Sequence, residues 1–308
     1  SDLATLDWPR RAAAARLTTI ATHMLPSQVT EWLATGTGEQ FLADCASYGL
    51  AVEHELHAMG ELLPRELFTY DPALFRMDEE GLRTPQGNLC PSNPAALELV
   101  SERAQYFTGL LPSTTGRYFY WLDDGLPMCR CPRCRELADS DQAVLVENTL
   151  LSAIREVAPQ ATLAHLAYHN TLQAPTQVRP DKGLFLEFAP IHRRYDVSLV
   201  DLPARLEGQL SHGEQLEALK ANLEWFGAEG AQAIEYWLDI SRFSGWDRNK
   251  VSALDWRPDV LRADLALYAQ LGVRHITSFA PWLDGDYVAR FGEPPLGDYG
   301  AALLAAED

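Results

Sequence analysis

No stretch of this chain runs apolar for the roughly 18 residues that a membrane-spanning helix requires, and its first residues lack the basic-then-apolar order of an export signal. A membrane partner is therefore not expected, and a cytoplasmic setting is favoured over a secreted one. The chain starts Ser1-Asp2 without Met, so removal of a preceding segment stays open. Positive charge is scarce, with 25 Lys and Arg against 43 Asp and Glu and a net charge of −18. That sign excludes the nucleic-acid backbone as a partner. A glycine-rich nucleotide turn is missing as well, because Met24-Leu25-Pro26-Ser27 follows the first expected strand, and no organic cofactor is expected. Repeats, low-complexity tracts and flexible linkers are absent, and nothing in the sequence fixes an oligomeric state.

What is present is a regular alternation. With 47% hydrophobic residues in 308, the chain can bury a large core. Strand composition falls at residues 17–24, 50–59, 118–122, 162–168, 184–189, 233–239 and 273–280. Helical spacing falls between them at 26–32, 38–48, 94–111, 141–157, 213–226 and 258–270, with a short closing helix near 298–306. Strand followed by helix, repeated, predicts a parallel sheet with helical crossovers. The fold class is α/β, a TIM (β/α)8-type barrel in one domain over residues 1–308, irregular in that seven strands can be counted. The eighth is expected to be irregular or to lie in the first residues. A long, proline-rich loop after the second strand, residues 62–93, is read as functional. A doubly wound sheet is the alternative architecture.

In a barrel, the C-terminal ends of the strands build the active site. The third expected strand ends in Trp121-Leu122-Asp123-Asp124-Gly125, two adjacent carboxylates before a glycine. Applied to every strand, the rule also collects His57, Tyr168, Glu187, Glu235, Tyr236, Trp237 and Trp282. Paired acids cleave glycosidic bonds, and flat aromatic faces hold sugar rings. A glycan partner is therefore expected. Asp123 and Asp124 point to opposite faces if both remain in the strand, and capping of the next loop is the alternative for either. Glu235 stands in an otherwise apolar run, so it either lines a cavity as a general acid or is neutralised by a basic partner. Glu187 makes the same argument, with Arg193 and Arg194 close behind it in sequence.

Three of the five cysteines, Cys129, Cys131 and Cys134, fall within six residues, which is not a dispersed disulfide framework. Cys90 in the preceding long loop completes a candidate set of four for a structural zinc, with two disulfides or free thiols as the alternatives. Cys45 lies on the apolar face of an expected helix and reads as core.

Several of these residues are shared with a known family. His57 with Leu62-Leu63-Pro64, then Leu67-Phe68, Gly81-x-Arg83, Cys90-x-Ser92-Asn93-Pro94, Asp124-Gly125, the Cys-x-Cys-x2-Cys loop and Ala189-Pro190-Ile191-x-Arg193 resemble domain-of-unknown-function family 4838, whose characterised members form glycoside hydrolase family 163. The resemblance runs from about residue 57 to 196 and implies a TIM-type barrel. It also implies retaining endo-β-N-acetylglucosaminidase activity, with the substrate's acetamido group as nucleophile. Carried onto this chain, it marks His57, Asp124, Arg193 and Glu235 as site residues. The expected roles are Glu235 as proton donor, Asp124 as the group that orients and polarises the acetamido nitrogen, and His57 and Arg193 as holders of sugar hydroxyls or of an anionic group. The competing readings are a barrel that binds carbohydrate without cleaving it and a thiol cluster that is itself a catalytic metal or redox site.

Overall fold

A computed structural model describes residues 2–306 of the chain. Seven strands form one sheet, every neighbouring pair parallel, in the order of the sequence: β1 Thr19–Thr22, β2 Ala51–His57, β3 Arg117–Trp121, β4 Thr162–Ala167, β5 Leu184–Phe188, β6 Gln232–Glu235 and β7 His275–Ser278. Aromatic and branched residues dominate these runs, as suits strands buried on both faces. Helices cross between them, and their starts follow from the sequence. Asn93 accepts the Ala95 N–H ahead of Pro94–Leu110, and Ser211 and Glu214 cap each other at the start of His212–Phe226.

The sheet curls on itself. Gln232 of β6 donates to Glu55 of β2, Arg117 of β3 reaches Gln232, and the Trp121 indole of β3 donates to Glu187 of β5, all between strands that are not neighbours. Such contacts require a barrel, and the His23 and Phe279 rings, 4.8 Å apart, bridge its two ends at the top. No pairing joins β7 to β1 among the described residues, so one seam stays open. The expectation of an eighth strand in the first residues is corrected here. Asp7 caps a helix over Trp8–Ala14, because Pro9 suits a first helical turn and the alanine run continues it. The terminal helix Leu296–Ala305 packs beside it, close enough that a side chain at Gly300 would strike the Ala15 backbone.

The long segment between β2 and the helix Pro94–Leu110 contains short helical turns and two isolated antiparallel bridges, Phe75 with Leu89 and Met77 with Arg83, held by backbone bonds such as Cys90 N–H to Leu74 O. It lies against the loop that follows β3. Among the described residues, no helix is long and apolar enough to cross a membrane.

Candidate active site at the barrel mouth

Parity decides which strand residues face the lumen. On β2, Glu53, Glu55 and His57 face in; on β3, Phe119 and Trp121; on β5, Phe185 and Glu187; on β6, Gln232 and Ile234. The lower lumen is therefore polar. Glu187 accepts from the Trp121 indole at 2.7 Å and from Gln232 at 2.8 Å, and Arg117 sits 3.4 Å from Glu53. Burial, reinforced by Glu53, pushes the Glu55 carboxyl up to about 8, and burial lifts Glu187 well above the usual range. This surrounding favours the protonated form of both.

Above them is a ring of aromatic and imidazole side chains delivered by the strand ends: His23, His57, Trp121, Tyr168, Tyr236 and Phe279. His57 lies 5.0 Å from Trp121 and 6.2 Å from Tyr168, and Tyr236 stacks on Phe279 at 5.2 Å. His57 Nδ1 donates to the Leu122 carbonyl at 2.7 Å, because a carbonyl can only accept. That fixes the tautomer and leaves Nε2 directed 3.8 Å from Asp124 Oδ1. Asp124 is 65% exposed and takes the Tyr168 hydroxyl as a second partner; burial and then Asp124 raise the Tyr168 phenol above its ordinary range. Asp123, 13% exposed, pairs with Arg65, and its N–H is held by Asn88 Oδ1 at 3.0 Å. Gly125 follows at φ +60°, and a side chain there would come within 3.3 Å of His169. A cavity of about 470 Å³ opens from Gly125 between His169, Pro190, His192, Gln209 and Gln215, beside the mouth rather than over Trp121.

Other expected site residues lie elsewhere. Glu235 was expected at the mouth, but it is the strand-mate of inward Ile234 and so faces outward, sealed under the helix Pro258–Gln270. There it receives the Tyr268 hydroxyl at 2.5 Å and Arg193 Nε at 3.2 Å. Arg193, expected to hold sugar hydroxyls, is fully buried between Glu235 and Asp264. Burial opposes its charge, but the two carboxylates outweigh that and hold it protonated. Trp237 joins the same cluster, donating to Asp264 at 3.2 Å. Trp282 packs under Arg248, 4.6 Å away, and its N–H meets Asp2. Glu187 is below the mouth rather than on it. Asp239, read as a strand end, caps the short helix Ile240–Phe243 instead. Arg65, Asn88, Gln232 and Phe279 were not anticipated. Only Phe279 left a signal, as the inward position next after Thr277.

The four expected ligand cysteines do come together, and Cys45 packs in the core beside Phe41.

The family described as domain of unknown function (DUF4838) matches residues 21–211. No curated protein matches the sequence. Among solved structures, the chain is similar to a GH5 xyloglucanase of Bacteroides ovatus in complex with a XXXG heptasaccharide, at TM-score 0.55 and 12% identity over 97% of this chain and 66% of that one. It is similar to a β-N-acetylhexosaminidase of Bacteroides fragilis, at 0.55 and 10% over 96% and 61%. It is also similar to a family 5 xyloglucanase of Paenibacillus pabuli, at 0.53 and 9% over 100% and 90%. The chain thus spans less than two thirds of the first two. At these identities the likeness is one of fold, a TIM-like α/β barrel.

Proposed function

Because the chain belongs to the DUF4838 family, whose match covers residues 21–211, we propose that its barrel mouth is the active site of a glycoside hydrolase acting on a β-linked, N-acetylated glycan. One observation carries the reading. Of the strand-end carboxylates expected at the mouth, Asp124 stays open to solvent, held by His57 and Tyr168 above an aromatic floor. Asp123 is tied to Arg65, and Glu187 and Glu235 are sealed. The fold shared with glycosidases of known structure supports the same class.

The two mouth carboxylates sit on one loop, with no partner among those expected facing them across the opening. The expected strand-end acids, as described, therefore do not form a pair that flanks the bond, as ordinary retaining and inverting enzymes use. The nucleophile then comes from the substrate. Its acetamido oxygen attacks the anomeric carbon as the bond to the leaving oxygen breaks, while Asp124 accepts the acetamido N–H and makes that oxygen more nucleophilic. His57 acts in this step as the imidazolium, keeping Nδ1–H on the Leu122 carbonyl and handing its Nε2 proton to the leaving oxygen, and water then opens the resulting oxazoline. Tyr168 and Phe279, half-buried at the mouth over the buried Trp121 and Tyr236, offer aromatic surface to the sugar ring, and the cavity lined by His169 and His192 has room for the rest of the glycan.

The test is turnover of aryl N-acetyl-β-glucosaminide and of N-glycan substrates. Asp124→Asn and His57→Gln are expected to lower kcat by about 10²-fold or more with binding retained. A wild-type protein that binds glycans and turns over none of them would make the mouth a carbohydrate-binding site. Equal turnover of sugars with and without the acetamido group would remove the substrate's part in the mechanism.

A further inference from the structure

The loop after β3 and the long loop after β2 meet at four cysteines, and this junction has no role in the chemistry above. Cys90, Cys129, Cys131 and Cys134 are buried, all unpaired by disulfides, and their sulfurs lie within 4.8 Å of one another. Cys129 and Cys90 are 3.6 Å apart, and Cys90 and Cys131 3.8 Å. A disulfide requires about 2.05 Å. A tetrahedron of sulfurs at the usual zinc–thiolate bond length of about 2.3 Å has edges of about 3.8 Å, close to the separations of these two pairs.

The surroundings suit thiolates better than thiols. The Met77 N–H points at Cys129 Sγ from 3.3 Å and the Cys131 N–H from 3.5 Å, and the Arg83 guanidinium stands 3.8 Å from the same sulfur. Ser92 Oγ is 3.3 Å from Cys90 Sγ and 3.6 Å from Cys131 Sγ. Donors aimed at sulfur and a nearby cation stabilise negative charge, as the outer shell of a metal site does. A cysteine used as core is different: Cys45 belongs to a large apolar cluster, whereas among the described residues Met77 is the one partly buried apolar side chain packed against the four.

We propose that Cys90, Cys129, Cys131 and Cys134 bind one zinc ion as a closed tetrathiolate, and that this ion fastens the Asp123-Asp124 segment to the mouth. Four protein ligands leave no open position, so the ion is structural. The fastening runs through short links. Asn88, two residues before Cys90, accepts the Asp123 N–H and donates to the Leu126 and Pro127 carbonyls at 3.1 and 3.3 Å. Gln142 binds the Cys129 N–H and the Cys129 and Cys134 carbonyls, tying the same loop to the helix Asp139–Val157.

The metal claim is independent of the glycosidase reading and is tested without activity. Untagged protein, purified from zinc-containing medium without chelator, is expected to carry one zinc per chain. Replacement by cobalt(II) is expected to give the charge-transfer and d–d absorption of a tetrahedral tetrathiolate. Cys131→Ser should lose the metal and Cys45→Ser should keep it. Because Cys131→Ser risks misfolding, the wild-type metal count and cobalt spectrum decide the matter: substoichiometric zinc, or a spectrum of oxygen and nitrogen ligands, overturns the site. For the fastening, residues 122–138 should become protease-sensitive when zinc is withdrawn. Equal protection with and without zinc overturns that half.

Discussion

Asp124 lies just past the end of β3 and Glu235 is the last residue of β6, yet one stands in solvent and the other is fully buried. The difference is one of parity. Beyond Trp121, β3 gives way to a loop that turns at Gly125 and leaves Asp124 free, stabilised by one imidazole and one phenol. On β6 the lumen positions are Gln232 and Ile234, so the next residue must face the helical layer. A carboxylate there survives because Arg193, Tyr268 and the neighbouring Asp264 build a paired network around it. Chemistry at a strand end therefore depends on which face the last residue takes, beyond its being an acid in an apolar run.

The comparison can be broken by exchanging effects. Asp124→Asn, with the largest expected loss of turnover, should leave the unfolding midpoint unchanged, since the side chain is mostly solvated. Glu235→Gln should do the reverse, leaving Arg193 short of a charge and costing about 3–5 kcal/mol in denaturant unfolding. Full stability in Glu235→Gln with activity abolished would return Glu235 to the chemistry.

The lumen acids offer a smaller, pH-dependent contrast. Glu55 holds its proton up to about 8, against 4.5 for an ordinary glutamate, so the folded state is favoured below the lower value. That stability is fully present below pH 4.5 and is lost as pH rises through 8. Thermal unfolding of Glu55→Gln should therefore depend less on pH across this window than that of the parent; an unchanged slope would mean that Glu55 is ionised in the fold. Smallest is Gly125→Ala, where a positive φ and the His169 ring should together cost about 1–2 kcal/mol and raise KM more than they lower kcat. No change in either would show that the turn does not set the Asp124 position.

The barrel was largely legible in the chain. Seven strands and the intervening helices follow from alternation, helical spacing and caps, because both faces of a parallel sheet are buried and leave long apolar runs. The Asp123-Asp124-Gly125 turn and the four gathered cysteines could likewise be found from spacing. Glu235 and Arg193 could not be placed, since their direction is set by packing against the helix Pro258–Gln270. A clue lay on that helix: Asp264 shares the buried stripe with Leu261, Leu265 and Tyr268, and an acid on an apolar stripe demands a buried cation. Arg65 and Asn88 come from the long loop, whose course follows no periodic rule.

The imidazoles around the opening bear on what can enter. Burial holds His23 down to about 4, with His57 adding to the effect, and burial also holds His169 and His192 below their usual value. These three rings are therefore uncharged near neutrality, on a body whose net charge is −18. Polyanions are turned back at a distance by that body, while a neutral guest meets a doorway that neither attracts nor repels it by charge and is admitted on shape and hydrogen bonding alone.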